Sequence, residues 1–590
     1  MRWDNADLEK GNSEVGTDLR TGRVTVKIPK VRVKTGESVI FQSALDPQFA
    51  LRKEVGMLSF LLRLQILLLL VLGVYLRTSQ FRMQVLLDDE WHAVHQLLSG
   101  KTPEELFLTL GLADYSVPLG ILYYWISHSS GLTEFSMRLP MLLASAICLV
   151  TFSAYVWRRF PPTTTLLFTL FLAISPLLTI YAHTARPYAV TLLLSYAALY
   201  FFYQYGHSPK DRWIAVLGYA ACAGLCLWLH LITGPFLIAP FVLEAVRALR
   251  QRNWSALPAL AHLGFPATTL MLCLVLPPLI TDHQSLTGKS GLADIGWDTA
   301  LGVWYIWLGS GSTLIVLGLV CLALLGLPVT LRQDRLVQAA LLGVVLTLAL
   351  VLASQPAWVQ HPLTMGRYLL SFIPILILAI ASGITVLVNG TSTLRLAALA
   401  GVGVLLIAYT ASSPSWPLAI MPNSQMTHSL YQFDFRVGHN KVDAYQQQHL
   451  GASPFWAQLA SEPSDSLRIA VAPFYFETYN WGAPRWERDS NQRVFPAYLT
   501  GYCVPNRFGE VPRNSLYRFS NAYYLDQIDD TGIPRPDWVV YTRHFSGFSN
   551  GLEDQSVGED TKHCLKKMRK QLGKPDYEDD VLLAWSLGDN

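Results

Sequence analysis

Charged residues are scarce in this chain. Asp, Glu, Lys and Arg together make up 15% of the 590 residues, against about 25% in an average soluble domain. That is too little charge to cover the surfaces of several soluble domains. A hydrophobic content of 51% and a mean hydropathy of +0.30 point to a membrane instead. The net charge of +3 is too small for this length to argue for a nucleic-acid partner. Cysteine is sparse as well. Of seven, Cys148, Cys222, Cys226, Cys273 and Cys321 fall in apolar stretches, where a thiol acts as a small hydrophobe. Cys503 and Cys564 lie in the polar C-terminal part, and a disulfide between them is expected if that part is exported. No secretory signal opens the chain, because the first apolar run follows a long polar segment and is too long for an h-region, so the N-terminus is expected in the cytoplasm. No internal repeat is visible. No Asn-x-Ser/Thr sequon falls in the segments predicted to be exoplasmic, which favours a bacterial protein over one of the endoplasmic reticulum.

Long apolar runs are abundant. They lie at about 57–76, 138–156, 163–181, 188–205, 213–230, 235–249, 260–280, 312–331, 336–354, 368–388 and 394–413, each near the ~20 residues a bilayer requires. Alternate connections carry Arg52 and Lys53, Arg158 and Arg159, Lys210 and Arg212, Arg247, Arg250 and Arg252, Arg332 and Arg335, then Arg395. The orientation rule places all of these in the cytoplasm. The expected architecture is a polytopic α-helical membrane protein of about 11 transmembrane helices with a C-terminal exoplasmic α/β domain. Its parts are a cytoplasmic polar tail over 1–56, a transmembrane catalytic domain over 57–413 and the exoplasmic domain over 414–590. In the last, "LRIAVAPFYF" and "DWVVYTR" read as strands beside a helical stretch from Lys441 to Leu459. The tail's basic alternating stretch around Val24 and Val26 reads as a loosely ordered segment drawn to anionic lipid. The loops 77–137, 281–311 and 355–367 are long or acidic, rich in His and Trp, and fall on the exoplasmic face. Within the first, Pro103 followed by Glu104 and Glu105 signals a helix start, and short surface helices are expected there.

Chemistry concentrates on that face. Asp88, Asp89 and Glu90 stand in a row beyond the first span, suited to general-base work or cation binding, although an acidic turn before a helix would look the same. "YAHTARPYAV" places Arg186, and "HPLTMGRYLL" places Arg367 and Tyr368, where the orientation rule disfavours positive charge. Snorkelling is the ordinary explanation for either arginine alone. Together with Lys289 they form a positive half facing an acidic half. Arginine forks bind phosphate oxygens and a carboxylate takes a proton from a hydroxyl, so this division suits transfer of a group from a phosphate to an alcohol. His92 and His95, three residues apart, are candidate ligands of a divalent cation with Asp89 or Glu90, and the cofactor is otherwise left open. Such pairs are more often interfacial residues. His183, His230, His283 and His361 all fall near the exoplasmic boundary, and Trp304, Tyr305 and Trp307 belong first to the aromatic belt.

The order of "DDEWHA" after the first span, "ARPYA" after the third, "GRYLL" before a late span and a C-terminal exoplasmic domain resembles the GT-C glycosyltransferase superfamily. Within it the likeness is to the branch of protein O-mannosyltransferases, aminoarabinose lipid A transferases and rhizobial galacturonosyltransferase-like proteins. The resemblance covers about residues 57–413 through short motifs. It implies a polyprenyl-phosphate sugar donor, transfer on the periplasmic or lumenal face, and inversion at the anomeric carbon. The acceptor would be a glycan, lipid or protein, and the location a bacterial inner membrane with the C-terminus periplasmic. Its acidic motif falls on Asp89 and Glu90, which makes Asp89 the candidate base with Asp88 as substitute, while Arg186, Arg367 and Lys289 would bind the donor phosphate. Asp114, Tyr188, Tyr368 and His361 are the candidate substrate-binding residues. Many relatives carry His-Pro-Pro in the first loop where this chain has "DYSVPL" at Asp114–Leu119, so the role of Asp114 and the acceptor stay open.

The main alternative is a transporter or flippase of lipid-linked saccharides, which would call for polar groups at midmembrane depth, broken helices and repeats. A membrane-anchored assembly protein would leave the acidic and arginine motifs without a role.

Overall fold

Proline opens many of the helices, since its missing N–H costs nothing in a first turn. The computed structural model describes residues 15–17, 24–26, 56–78, 90, 101–110, 116–130, 132–205, 212–254, 256–288, 290–291, 293–389, 400–406, 408–409, 453–473, 483–495, 499, 535–543 and 556–588. Two units divide the chain at Leu61. In the first, β1 (Val15–Thr17) pairs antiparallel with β2 (Val24–Val26), so part of the tail's alternating stretch forms a short ladder.

Helix α1 (Gly56–Thr78) leads into the second unit. Then come α2 (Pro103–Phe107) and α3 (Val117–Ser129). The predicted start at Pro103 is observed: Thr102 caps α2 and Glu105 reaches back to the Thr102 N–H at 2.8 Å, a reciprocal capping box. The bundle continues with α4 (Glu134–Arg159), α5 (Pro162–Ile174), α6 (Pro176–Ala182) and α7 (Tyr188–Gln204). Next are α8 (Arg212–Leu229), α9 (Gly234–Arg250), α10 (Ala256–Thr281), α11 (His283–Thr287) and α12 (Trp297–Leu308). It closes with α13 (Thr313–Gln333), α14 (Arg335–Ser354), α15 (Pro362–Tyr368) and α16 (Ile373–Val388).

The chain is a multi-pass α-helical membrane protein. Eight helices among the described residues are long and apolar enough to cross a bilayer, and α5 with α6 makes a ninth span that bends by 52°. Helix α7 has 17 residues, which reach about 26 Å at 1.5 Å each, slightly short of a ~30 Å hydrocarbon core. The predicted run 394–413 is helical at 400–406 and 408–409, and its other residues lie outside those described.

Helix α16 is buried on every side from Ile373 to Thr385, which is why its run is apolar all round. It crosses α13 at glycines. A Cβ on Gly326 would stand 2.0 Å from Ala379 O, and one on Gly383 would stand 2.0 Å from Leu322 O. Only hydrogen at these positions lets the backbones approach so closely.

Hydrogen bonds sort the connections onto two ends. At one, Tyr155 Oη donates to Asp334 at 2.7 Å, Gln333 donates to Arg159 O at 2.6 Å, and Arg247 bridges Glu244 and Gln338. These join three of the basic connections that the orientation rule groups together. At the other, Leu110 N–H donates to Asp282 at 2.9 Å, Gly291 N–H to Ser354 O at 2.9 Å and Thr299 Oγ1 to Gln360 O at 2.5 Å. The three loops rich in His and Trp are thereby tied into one layer.

The C-terminal part holds α17 (Pro454–Leu459), β3 (Arg468–Ala472), α18 (Ala483–Ser490), β4 (Arg493–Phe495), β5 (Trp538–Thr542), α19 (Ser556–Leu572), β6 (Tyr577–Glu578) and β7 (Leu582–Ser586). The sheet order is β4-β3-β5-β7-β6, parallel at β4-β3-β5 and antiparallel beyond. Both predicted strand runs are strands, β3 and β5. Of the predicted stretch Lys441–Leu459, Pro454–Leu459 is helical and residues 441–452 lie outside those described. Cys564 is disulfide-bonded, Cys503 lies outside the described residues, and the five cysteines of the apolar runs are free.

Candidate functional site

The third span breaks where the sequence puts Pro176. Proline has no N–H to give Leu172 O, so the helix opens there and leaves backbone acceptors in an apolar setting. Arg77, in the last turn of α1, fills the gap. Its guanidinium donates to Leu172 O at 2.9 Å, Ala173 O at 3.0 Å, Gly73 O at 2.9 Å and Ser145 Oγ at 2.9 Å.

Beyond the break, α6 runs straight into the "ARPYA" motif. The chain turns tightly there: Thr184 Oγ1 donates to Ile180 O at 2.8 Å and Arg186 N–H to Thr184 O at 2.7 Å. Glu90, from the acidic motif of the first loop, holds this turn from outside. Its Oε1 accepts the Ala185 N–H at 2.5 Å, while Arg138 of α4 grips both carboxylate oxygens at 2.7 and 2.6 Å. Glu90 and Arg138 are both fully buried. A desolvated pair of this kind persists only when its geometry and extra hydrogen bonds offset the loss of water, and the Ala185 N–H supplies one such bond. Burial, with the charge of Arg138 adding to it, lowers the pKa of His183 in the same turn to about 3.

Arg186 is buried to 6% exposure, and Tyr188 begins α7 two residues later. Tyr188 also meets the third motif. The Arg367 guanidinium lies 5.2 Å from the Tyr188 ring centre and 5.6 Å from that of Tyr368, a cation held by two aromatic rings. The His230 ring lies 5.3 Å from Tyr188 and 5.7 Å from Tyr368. These four residues line a small cavity of about 30 Å³. Helix α15, which carries Arg367, is fixed by Trp307 Nε1 donating to Gly366 O at 3.2 Å.

Of the predicted site residues, the structure therefore joins Glu90 to the Arg186 turn, and Arg367 to Tyr188 and Tyr368. His361 stands apart from the cavity lining: it precedes α15 and stacks on Trp358 at 5.9 Å, with burial lowering its pKa. Asp88, Asp89, His92, His95, Asp114 and Lys289 lie outside the described residues. Among the described residues no group of three His, Cys, Asp or Glu is placed to hold a metal ion. The oxygens of Glu90 are engaged by Arg138 and Ala185.

Arg77 and Arg138 were not singled out from the sequence. The available signal was a charge at the margin of an apolar run on the side where positive charge is disfavoured.

No known protein family and no curated protein sequence matches this chain. Among solved structures it is similar to ArnT from Cupriavidus metallidurans, in the apo state and bound to undecaprenyl phosphate. The likeness covers 88% of this chain and 97% of that one, at 12% and 13% identity and a TM-score of 0.45. It is also similar to the Archaeoglobus fulgidus oligosaccharyltransferase complexed with zinc and sulfate, over 81% of this chain and 68% of that one, at 12% identity and a TM-score of 0.40.

Proposed function

We propose that the chain is a membrane glycosyltransferase that moves a sugar from a polyprenyl-phosphate carrier to an acceptor hydroxyl on the periplasmic face of a bacterial inner membrane. The observation that carries this reading is the bond from Ala185 N–H to Glu90, because it seats Glu90 one residue from Arg186. In this reading the acidic motif and Arg186 are the negative and positive halves of a transfer site, supported by the Glu90 bond to this turn and by Tyr188, which links the turn to Arg367.

In this reading Arg186, Arg367 and Lys289 hold the donor phosphate and offset the charge it gains on leaving. The acceptor oxygen attacks the anomeric carbon from the face opposite the phosphate. Its bond forms as the carbon–oxygen bond to phosphate breaks, the configuration inverts, and the hydroxyl proton passes to Asp89, with Asp88 as the alternative base. Glu90 positions the Arg186 turn. Tyr188 and Tyr368 flank the donor, Asp114 and His361 serve the acceptor side, and any divalent cation would fall to His92 and His95. The acceptor is a glycan, a lipid or a protein.

A carrier of lipid-linked saccharides is the second reading, favoured by the broken span. Arg77 counts against it, since it occupies the freed carbonyls that a carrier would offer to an ion.

The test is turnover by the purified chain of radiolabelled polyprenyl-phosphate sugars, with donor affinity measured separately. Asp89→Asn is expected to lose about 10²- to 10⁴-fold in transfer while still binding donor. Glu90→Gln is expected to act through the fold instead, losing about 3–5 kcal/mol as Arg138 is left without its charged partner. Near-normal transfer in both variants, or lipid translocation without turnover, overturns the proposal.

A further inference from the structure

Trp358, in the loop before α15, has a backbone φ of +67°. For a bulky L-residue that conformation is strained, and glycine or asparagine would take it at less cost. The residue is also 47% exposed, so burial of the ring does little to offset the strain. The turn that carries it is firmly held. Val359 N–H donates to Pro356 O at 3.1 Å and His361 N–H to Trp358 O at 3.0 Å. Val359 is fully buried in a cluster with Ala293, Val303 and Met365. From the other side, Thr299 Oγ1 of α12 donates to Gln360 O at 2.5 Å. A rigid support that displays a strained aromatic is the pattern of a binding position.

The surroundings of the ring select its ligand. His361 stacks against it, with 5.9 Å between ring centres and 21° between planes. Trp297, two residues before Thr299, is 86% exposed, and Asp294 and Asp298 near it are exposed carboxylates. The Gln360 side-chain oxygen is shut off from solvent without a hydrogen-bond partner, a condition that folded proteins rarely leave uncompensated. Gln360 itself is partly exposed, so a turn of its amide presents this acceptor beside the indole. Aromatic faces set among carboxylates and amides suit a sugar ring, whose C–H groups lie against the aromatic face while its hydroxyls donate to oxygens at the rim. Bilayer lipid fits less well. An acyl phase would strand the two carboxylates, and anionic headgroups would be repelled by them.

We propose that Trp358, backed by His361 and with Trp297 and Gln360 at its rim, is a docking platform for a pyranose ring of the acceptor, which makes that acceptor a saccharide and not a polypeptide. The platform stands outside the arginine cavity. His361 precedes α15 and Arg367 lies toward the far end of that helix, about 9 Å along the axis at 1.5 Å per residue. Calling the docked sugar an acceptor rests on the glycosyltransferase reading; the affinity for a saccharide ring rests on the platform itself.

The experiment is saturation-transfer NMR on the full chain in nanodiscs, with maltopentaose, chitopentaose and mannopentaose as saccharide probes and a Ser/Thr-rich peptide as the polypeptide probe. At least one saccharide is expected to take up saturation through its ring C–H protons, and the peptide is expected to take up none. Trp358→Gly is expected to weaken saccharide binding by about tenfold or more and to melt no lower than the parent, because glycine relieves the strained φ. Loss of binding without loss of stability separates a docking ring from one that merely packs. Trp358→Phe keeps an aromatic face and is expected to bind within a few-fold of the parent. Trp297→Ser with Gln360→Ala, and a several-fold loss, serves if Trp358→Gly does not fold. No saccharide binding by the parent, equal binding in folded Trp358→Gly, preference for the peptide, or photocrosslinking of p-benzoylphenylalanine in place of Trp358 to lipid acyl chains overturns the inference. Absent sugar turnover, with saccharide binding and its Trp358 dependence intact, removes only the glycosyltransferase reading; turnover with an unchanged acceptor KM in Trp358→Gly removes only this one.

Discussion

His183 stands one residue past α6 at 1% exposure, where burial and then the charge of Arg138 lower its pKa to about 3. An imidazole in the unfolded chain titrates near ~6.5. Between those values the unfolded state binds a proton that the folded state refuses, so the stability His183 contributes is whole above about pH 6.5 and is lost as pH falls toward 3. The expected outcome is a thermal midpoint that declines on acidification, with this residue contributing up to about 1.4 kcal/mol per pH unit, and a shallower decline in His183→Gln. Equal slopes in both proteins would remove the assignment. Arg186, Arg367 and Glu90 were legible in the sequence because a charge outside the basic connections stands out against apolar neighbours. Arg138 carries the same signal at the margin of its run, but its pairing with Glu90, 48 residues away, is announced by nothing local. The hydroxyls of the cavity were equally hidden: Thr191 and Ser195 read as ordinary members of an apolar run until the fold gives that run a cavity to face.

Two elements show what hydropathy reads and what it misses. Run lengths placed the spans because a bilayer demands about 20 apolar residues of any helix that crosses it. The break in the third span escaped that reading, since the window averages over Pro176 while the chain bends by 52° there. Helices α13 and α16 carry the opposite lesson, with apolar content announcing both and only glycine letting them touch. Gly326→Ala would press a methyl to within 2.0 Å of Ala379 O. The two helices must separate, and overpacking of this kind costs about 1–3 kcal/mol. A lower thermal midpoint is expected for Gly326→Ala and again for Gly383→Ala, with Gly401→Ala, which has nothing within 4 Å, as the control. A melt unchanged in the first two would show that the crossing yields freely.

In the helical unit, three of the six basic connections are joined at one end, and the three loops rich in His and Trp share one layer at the other. The C-terminal strands β3 and β5 were legible as short apolar runs rich in β-branched residues, whereas β4 and β6, three and two residues long, are set by their neighbours. The disulfide at Cys564 belongs to this scale because such bonds persist in oxidising compartments, the placement expected for the C-terminal part. Cys564 is expected to resist alkylation until reduced, and the released partner peptide is expected to contain Cys503. A loop of about sixty residues makes such a bridge worth ~4 kcal/mol. Alkylation of Cys564 without reductant would contradict the exported placement. Arg77 adds a matter of time. Its bond to Ala173 O spans 96 residues of sequence, so the acceptor does not yet exist when the arginine leaves the ribosome. At roughly 5–20 residues per second the wait is about 5–20 s, through which the guanidinium has Gly73 O of its own helix but not yet the carbonyls of the third span. Snorkelling keeps that charge in the interface meanwhile. Helix α1 is therefore among those that settle only after the third span arrives, and the arginine that marks its end is the clasp that records the order of assembly.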